Sequence, residues 1–517
     1  MRHNSNPTFV GLRTLLLSNR LGKNIASNLI GGGWNGLLIV LATPWYISLL
    51  SMEGYGLLGF WLLMQMVLSL CDLGLGATLV REFANSKGQE SGNRRRDLLR
   101  TLEYVYWPIA ALLTIVMFFL SEWIANNWLK FNFLSVDQVT IAIKIMALSL
   151  GLQFPCALYS SGLAGLQSQG RMNFLQIVGN SLRYGGGVAI LFWRSDPGWF
   201  FCVQAFVAGV QTLATRAVLW HMVNVVGSRQ PIFRFSFLKS LWQFSAGMAL
   251  TMMAGVLLSN VDRLFLSKLV SVEELGKYTL AFTATGLLQM GIQPFYRAYF
   301  PRFAELFASG DSVRLREEYY RGCRLVAGII IPFAIIGVVF APEIFMAWIG
   351  RSDNTIVSVF RWLLVGITGA GLMWLPAAFQ QAQGWTRLHA TMITGALCLG
   401  FPSLFWAINQ WGTVGATVVW VLHGVSDVTL GLWLMHKRLL SGEFVLWYRT
   451  VVLPPLLCSL PIVGLSRWLL PLGLNSFSSA VWLGITSLLV VMSTLIFVKF
   501  KNIANKTHED ILLWKSK

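Results

Sequence analysis

Acidic side chains are scarce. Only 22 Asp and Glu stand against 40 Lys and Arg in 517 residues, and the four types together make up 12% of the chain. Soluble domains carry about a quarter charged residues, so a water-exposed surface cannot be clothed from this composition. Histidine and cysteine are sparse at six each. Cys71, Cys156, Cys202, Cys323, Cys398 and Cys458 are scattered without metal-ligand spacing, which excludes a disulfide framework or a zinc site. No GxxxxGK[ST] loop is present, so ATP hydrolysis is not expected. Asp72-Leu73-Gly74-Leu75-Gly76 lacks the third glycine of a dinucleotide loop and falls inside an apolar span, so it carries no nucleotide role. Long polar connectors are missing on one side. The longest extracytoplasmic loop expected lies near Asn127 to Gln138, leaving no room for an external catalytic domain.

What remains is apolar: 55% of residues are hydrophobic. They fall into about fourteen stretches of the roughly 20 residues that span a bilayer core, near 24–50, 54–80, 102–126, 139–166, 172–193, 198–223, 241–268, 275–301, 323–349, 355–383, 388–408, 413–436, 450–470 and 477–499. Helices satisfy their own backbone in lipid, and the alternation of a barrel is absent. The connectors alternate in charge. Segments Arg2 to Lys23, Arg81 to Arg100, Arg171, Arg229 to Lys239, Arg302 to Arg324, Arg387, Lys437 to Arg449 and Lys499 to Lys517 hold 28 of the 40 basic residues. Basic loops stay cytoplasmic, so both termini are placed there. Thr8 to Leu21, interrupted by Arg13 and Arg20, reads as an amphipathic surface helix rather than a secretory signal. The net charge of +18 then serves topology and anionic lipid headgroups, not nucleic acid.

A weak repeat occurs at an offset of 220 residues. Ser51, Glu53 and Gly56 match Ser271, Glu273 and Gly276, and Phe83-Ala84 matches Phe303-Ala304. Six spans separate the copies, so both lie the same way up, as in parallel-repeat transporters. The expected architecture is all-α and integral to the membrane. Two pseudo-symmetric six-helix lobes, residues 1–240 and 241–440, surround a central cavity, and two C-terminal helices follow in 441–517.

Ionisable groups at membrane depth cost about 2.5–3.5 kcal/mol each and normally face the bundle interior or water. Here they lie on polar helical stripes. The fifth span presents Asn173, Gln176, Asn180 and Arg183, and the eighth presents Thr285, Gln289, Gln293 and Arg297. Ser259, Asp262 and Arg263 share the seventh; Gln65, Ser69 and Asp72 the second; Asn24, Asn28, Gly31 and Asn35 the first. Arg183 and Arg297 lack an acidic neighbour one turn away, which suits an anionic ligand; the plain alternatives are snorkelling to an interface or pairing with a distant Asp, as Arg263 could with Asp72 or Asp262. Lys144 and Arg216 lie near span ends, where snorkelling is expected. His423 and Asp427, four apart, form either a proton relay or a packing hydrogen bond. Gly31 to Gly33 and Gly185 to Gly187 read as packing points or hinges.

The segment Asn260 to Tyr278 (NVDRLFLSKLVSVEELGKY), with Phe300-Pro301-Arg302-Phe303, resembles the start of the second lobe in bacterial polysaccharide flippases of the O-antigen type. Gly54 to Phe60 (GYGLLGF) with Asp72 to Gly76 is similar to their first helix pair. These proteins belong to the multidrug/oligosaccharidyl-lipid/polysaccharide exporter superfamily. The resemblance implies translocation of an undecaprenyl-diphosphate-linked oligosaccharide by alternating access, coupled to H+ or Na+, with no other cofactor, no metal and no catalytic residue. On that reading Arg183, Arg263 and Arg297 hold the diphosphate, while Gln176, Asn180, Gln289 and Gln293 meet the sugar. Asp72, Asp262, His423 and Asp427 serve ion coupling or gating, Asp262 with Arg263 matching an acidic-basic pair of the family by position. Expected partners are the polyprenyl-linked glycan, membrane lipids, and a polysaccharide polymerase and chain-length regulator. Three rival readings remain. A lipid II flippase shares the fold. A cation-drug exporter would need more acid than arginine in its cavity, and a glycan polymerase or ligase would need a large external loop.

Overall fold

A chain that must close its backbone hydrogen bonds without water becomes helical almost throughout. The computed structural model describes residues 20–85, 90–224, 230–237, 253, 255–257, 259–385, 387–471 and 475–494, and no strand occurs among them. The terminal basic segments, nearly all of the expected amphipathic helix at 8–21, the side chains of Asn24 and Asn28 and half of the expected seventh span lie outside the described residues.

Two compact units divide the chain. One comprises Met1–Asn260 and Val270–Gly276, the other Val261–Leu269 and Lys277–Lys517. The first contains α1 (Arg20–Leu70), α2 (Leu75–Asn85), α3 (Glu90–Trp123, prolonged by a π-helical turn Ile124–Trp128), α4 (Val136–Gly165), α5 (Gln169–Trp193) and α6 (Pro197–Val223). The second contains α7 (Val261–Leu269), most of α8 (Val272–Ala308), α9 (Ser312–Val339), α10 (Ala341–Ile349), α11 (Asn354–Leu372), α12 (Trp374–Ala382), α13 (Arg387–Gly415) and α14 (Val418–Ser426). A π turn (Asp427–Gly431) leads to α15 (Leu432–Leu439). After α16 (Phe444–Trp447) and a second π turn (Tyr448–Val452) come α17 (Leu453–Trp468) and a final helix, Ser476–Thr494.

Local chemistry sets the boundaries. Ser135 and Gln138 form a capping box at the start of α4. Asp196 caps α6 ahead of Pro197, and Asp353 caps α11 through the N–H groups of Thr355 and Ile356. Among the described residues ten helices are long and apolar enough to cross a membrane, α1 covering the first expected span and the second as far as Leu70. Helices α5 and α8 are not among them, because the amides and arginines of their polar stripes lower their hydropathy. Outward faces are greasy, with Phe119, Phe206, Leu399 and Trp468 largely exposed, as lipid contact demands. Within the second unit, Val463 and Val490 of the last two helices pack on Ile336 and Phe340 at the end of α9.

Three expected spans are broken. The second (54–80) is interrupted at Cys71–Gly74, where Leu73 and Gly74 take φ of 50° and 74°. The ninth (323–349) breaks at Phe340, and the tenth (355–383) at Met373. Hydropathy missed these breaks because the turn residues are themselves mostly apolar.

The 220-residue repeat is structural. Shifting α3, α4, α5 and α6 by 220 lands them on α9, α11 with α12, α13, and α14 through α15, with no net insertion. Packing follows the shift: a Cβ on Gly151 would stand 3.2 Å from the Ala110 carbonyl, and one on Gly371 would stand 3.0 Å from Ile330. At Gly56 the approach is reciprocal. A Cβ there would meet the Val272 carbonyl at 1.9 Å, and one on Gly276 would meet the Met52 carbonyl at 2.5 Å. Met52 and Val272 are themselves 220 apart, so two copies of one Ser-x-Glu-x-x-Gly motif clasp each other backbone to backbone. Beside this clasp, Glu53 is buried and accepts hydrogen bonds from the N–H groups of Asn132 (2.5 Å), Phe133 (2.9 Å) and Leu134 (2.9 Å), tying down the loop between α3 and α4.

Candidate functional site: a polar cavity in the first unit

A cavity of about 950 Å³ lies within the first unit, walled by the second half of α1 and by α4, α5 and α6. Its polar centre is Arg183 on α5, only 7% exposed. Nη1 donates to Gln153 Oε1 on α4 (3.3 Å) and Nη2 to Gln211 Oε1 on α6 (3.3 Å). Gln153 Oε1 also accepts from Gln65 on α1 at 3.0 Å, so helices from four parts of the sequence converge on one guanidinium. The α5 backbone yields space for this: a Cβ at Gly179 would stand 2.5 Å from Gln211 Cδ. Trp61 lies beneath Arg183, ring centroid 5.8 Å from Cζ, and its buried indole N–H has no partner. Asn180 donates to Asn35 at 3.0 Å along the same wall.

Among the described residues no carboxylate pairs with Arg183. Burying a charge costs several kcal/mol even after relaxation, and two neutral amide oxygens offset only part of that. The internal repeat shows that the fold does not need it. At the same positions 220 residues on, Gln65, Asp72, Gln153, Asn180, Arg183 and Gln211 are replaced by Thr285, Ile292, Met373, Gly400, Ser403 and Gly431. One architecture is built twice, once with a charged cavity wall and once without. The polar set is therefore not something the shared architecture requires.

Of the residues singled out by sequence, Asn35, Gln65, Ser69, Asp72, Gln176, Asn180 and Arg183 line this cavity together. The remaining residues given a ligand or coupling role sit in the second unit. Asp262 is fully buried, accepting from the Tyr278 hydroxyl and from Trp420 Nε1 (2.8 Å), and its Oδ1 has no partner. The Arg263 guanidinium lies 4.4 Å over the Phe282 ring. On α8, Gln289 is half-buried and the exposed Arg297 donates to Gln293 at 3.2 Å. His423 and Asp427 stand 3.6 Å apart where α14 passes into its π turn.

Gln153, Gln211, Tyr106 and Trp61 escaped the sequence reading. Each stands alone in an apolar span rather than on a stripe, so only a search for solitary amides could have found the two glutamines. Arg216 departs from the snorkelling expected of it. Its Nε binds Glu103 Oε1 at 2.7 Å, in a knot where Tyr159 (2.8 Å), Trp220 (2.9 Å) and Arg100 (3.2 Å) also donate to that carboxylate. Lys144 lies 5.1 Å over the Phe118 ring.

Helix-only architecture among the described residues, with ten helices long and apolar enough to cross a bilayer, is that of a multi-pass membrane protein. The chain belongs to the polysaccharide biosynthesis protein family, whose model matches residues 21–307, while the MatE model matches residues 248–406. This places it among the polysaccharide flippases of the multidrug/oligosaccharidyl-lipid/polysaccharide exporter superfamily. It is 21% identical over 418 residues to a Shigella flexneri protein described as an O-antigen transporter, covering 80% of this chain and 97% of that one. It is 25% identical over 374 residues to the teichuronic acid biosynthesis protein TuaB of Bacillus subtilis (strain 168), covering 70% and 71%. In fold it is similar to the lipid II flippase MurJ in an inward closed conformation. The TM-score is 0.68 at 12% identity, with 92% of this chain and 99% of that one covered.

Proposed function

We propose that the chain carries an undecaprenyl-diphosphate-linked oligosaccharide, a repeat unit of O-antigen or exopolysaccharide type, from the cytoplasmic to the periplasmic leaflet of the bacterial inner membrane. The carrying observation is Arg183, a buried guanidinium without a carboxylate, set in a cavity large enough for a sugar phosphate. Moving a diphosphate unaided into hydrocarbon has an idealised Born cost of order 20 kcal/mol per ion. Arg183 and the surrounding amides replace its hydration while the prenyl chain stays in lipid. Arg263, Arg297, Gln289 and Gln293 are further candidate ligand contacts, each described within the second unit only.

On this reading the two repeats alternate access, both termini are cytoplasmic, and the product is handed to a polymerase and chain-length regulator. Complementation of a flippase-deficient bacterium, scored by surface glycan, tests the assignment. Restored glycan is expected; none at normal membrane levels of the protein would sink it.

Asp262 is the coupling site in this scheme, taking H+ or Na+ at the carboxylate oxygen that has no partner, with His423 and Asp427 as a second proton-carrying pair. Asp262→Asn keeps an acceptor for Tyr278 and Trp420 but cannot bind and release a proton. In proteoliposomes its transport should no longer respond to an imposed H+ or Na+ gradient. A gradient response equal to wild type would remove Asp262 from the coupling scheme.

A further inference from the structure

The cavity holds a second charge, of opposite sign, that Arg183 does not neutralise. Asp72 closes the break between α1 and α2, accepting from the Tyr106 hydroxyl on Oδ1 and from the Gly76 N–H on Oδ2 at 3.2 Å. It lines the same cavity as Arg183. A carboxylate has about four lone-pair sites, and two remain after these bonds. Among the described residues no Lys or Arg pairs with Asp72, and no ion pair joins it to Arg183. At membrane depth, pairing with each other would be the cheapest arrangement for two such groups. Instead the guanidinium rests on amide oxygens and the carboxylate on a phenol and a backbone N–H.

Structural need does not explain the acid. Its counterpart in the second repeat is Ile292, which is buried, and the position matching Tyr106 is Val326, also buried. That half runs as one unbroken helix through the same region, Val272–Ala308. The break, the acid and its tyrosine therefore arise together, in the repeat that contributes this polar cavity. A break inside a membrane helix is tolerated where it lines a cavity.

Building on the assignment above, we propose that Asp72 is a specificity residue that accepts hydrogen bonds from hydroxyls of the sugar next to the diphosphate, while Arg183 takes the phosphate oxygens. An ionised carboxylate is acceptor-only. It repels phosphate and takes hydroxyl donors, whereas the guanidinium is donor-only and takes phosphate. A ligand with an anionic end and a hydroxyl-rich end satisfies both walls of the cavity at once, and a bare prenyl diphosphate satisfies one. Tyr106 is the positioning residue that holds the carboxylate in its rotamer.

The test compares binding of undecaprenyl diphosphate with and without its first sugar to the full chain in detergent. A hydrogen bond to a charged group contributes roughly a factor of ten or more, so wild type should prefer the glycosylated lipid about tenfold. Asp72→Asn should erase that preference by weakening only the glycosylated lipid, and Arg183→Gln should weaken both lipids. Soluble sugar diphosphate should also displace the wild-type ligand better than inorganic diphosphate, a check that needs no variant to fold. Equal binding of the two lipids by wild type, or equal weakening of both by Asp72→Asn, overturns the role of Asp72 while leaving the transport assignment standing. Failure of wild type to bind either lipid overturns both.

Discussion

Arg183→Gln is expected to reduce affinity for a prenyl-diphosphate ligand at least 100-fold and to abolish glycan export, without loss of protein from the membrane. Two charge-assisted hydrogen bonds to phosphate contribute about 1.5–3 kcal/mol each, and each 1.4 kcal/mol is about a factor of ten. The sign of the stability change is the sharper test. Arg183 is a buried charge offset by the amide oxygens of Gln153 and Gln211 and by the Trp61 ring, with no carboxylate, so removing it relieves part of a desolvation cost of several kcal/mol. The melting temperature of Arg183→Gln should equal or exceed that of wild type while binding is lost, as expected where function is kept at the expense of stability. Arg183→Lys should rescue poorly, because a point charge cannot span two phosphate oxygens as a planar fork does. Full export by Arg183→Gln would remove this residue from the ligand site; a steep fall in melting temperature would recast it as a structural cation.

Glu103→Leu should have the opposite profile, with stability lost first and transport falling only in step with protein level. Its carboxylate is 5% exposed and takes bonds from Arg216, Tyr159, Trp220 and Arg100, joining α3, α4 and α6. Breaking a buried ion pair costs about 3–5 kcal/mol. The low end applies here, since Arg216 and Arg100 are more than a third exposed and can regain water. Replacing both partners (Glu103→Leu with Arg216→Leu) should cost less than Glu103→Leu alone, because it leaves no stranded charge. The second repeat illustrates a neutral solution. Its matching positions hold Cys323 and His436, both buried, with the imidazole Nε2 3.2 Å from the Tyr319 hydroxyl. Thermal unfolding of the four proteins in detergent measures the coupling, and additive losses would show that the knot contributes no pairwise stability.

The contrast between these two sites explains why one was legible in the sequence and the other was not. Arg183 stood out because it sits on a polar stripe with Asn173, Gln176 and Asn180, a pattern confined to one helix. Glu103 falls at the start of an apolar span within a basic stretch, where it reads as one more interfacial charge. Apart from Arg100 one turn before it, its partners are 56 to 117 residues away, and no spacing rule reaches that far. Gln153 and Gln211 were invisible for the same reason. Each is a solitary amide until Gly179 lets α6 approach α5 closely enough for Gln211 to meet the guanidinium.

Membrane residence, helical class and the internal repeat were legible in the order of residues alone, and the flippase family in a resemblance of its motifs. Hydrophobic run length, Lys and Arg placement and a 220-residue offset are one-dimensional quantities, and the bilayer imposes them on the chain before any helix meets another. Three-dimensional packing decided where the helices break, which half holds the polar cavity, and that Asp72 and Arg183 share it unpaired. Those outcomes depend on turns built from apolar residues and on contacts between distant segments, where each side chain's meaning comes from the neighbour it is brought against.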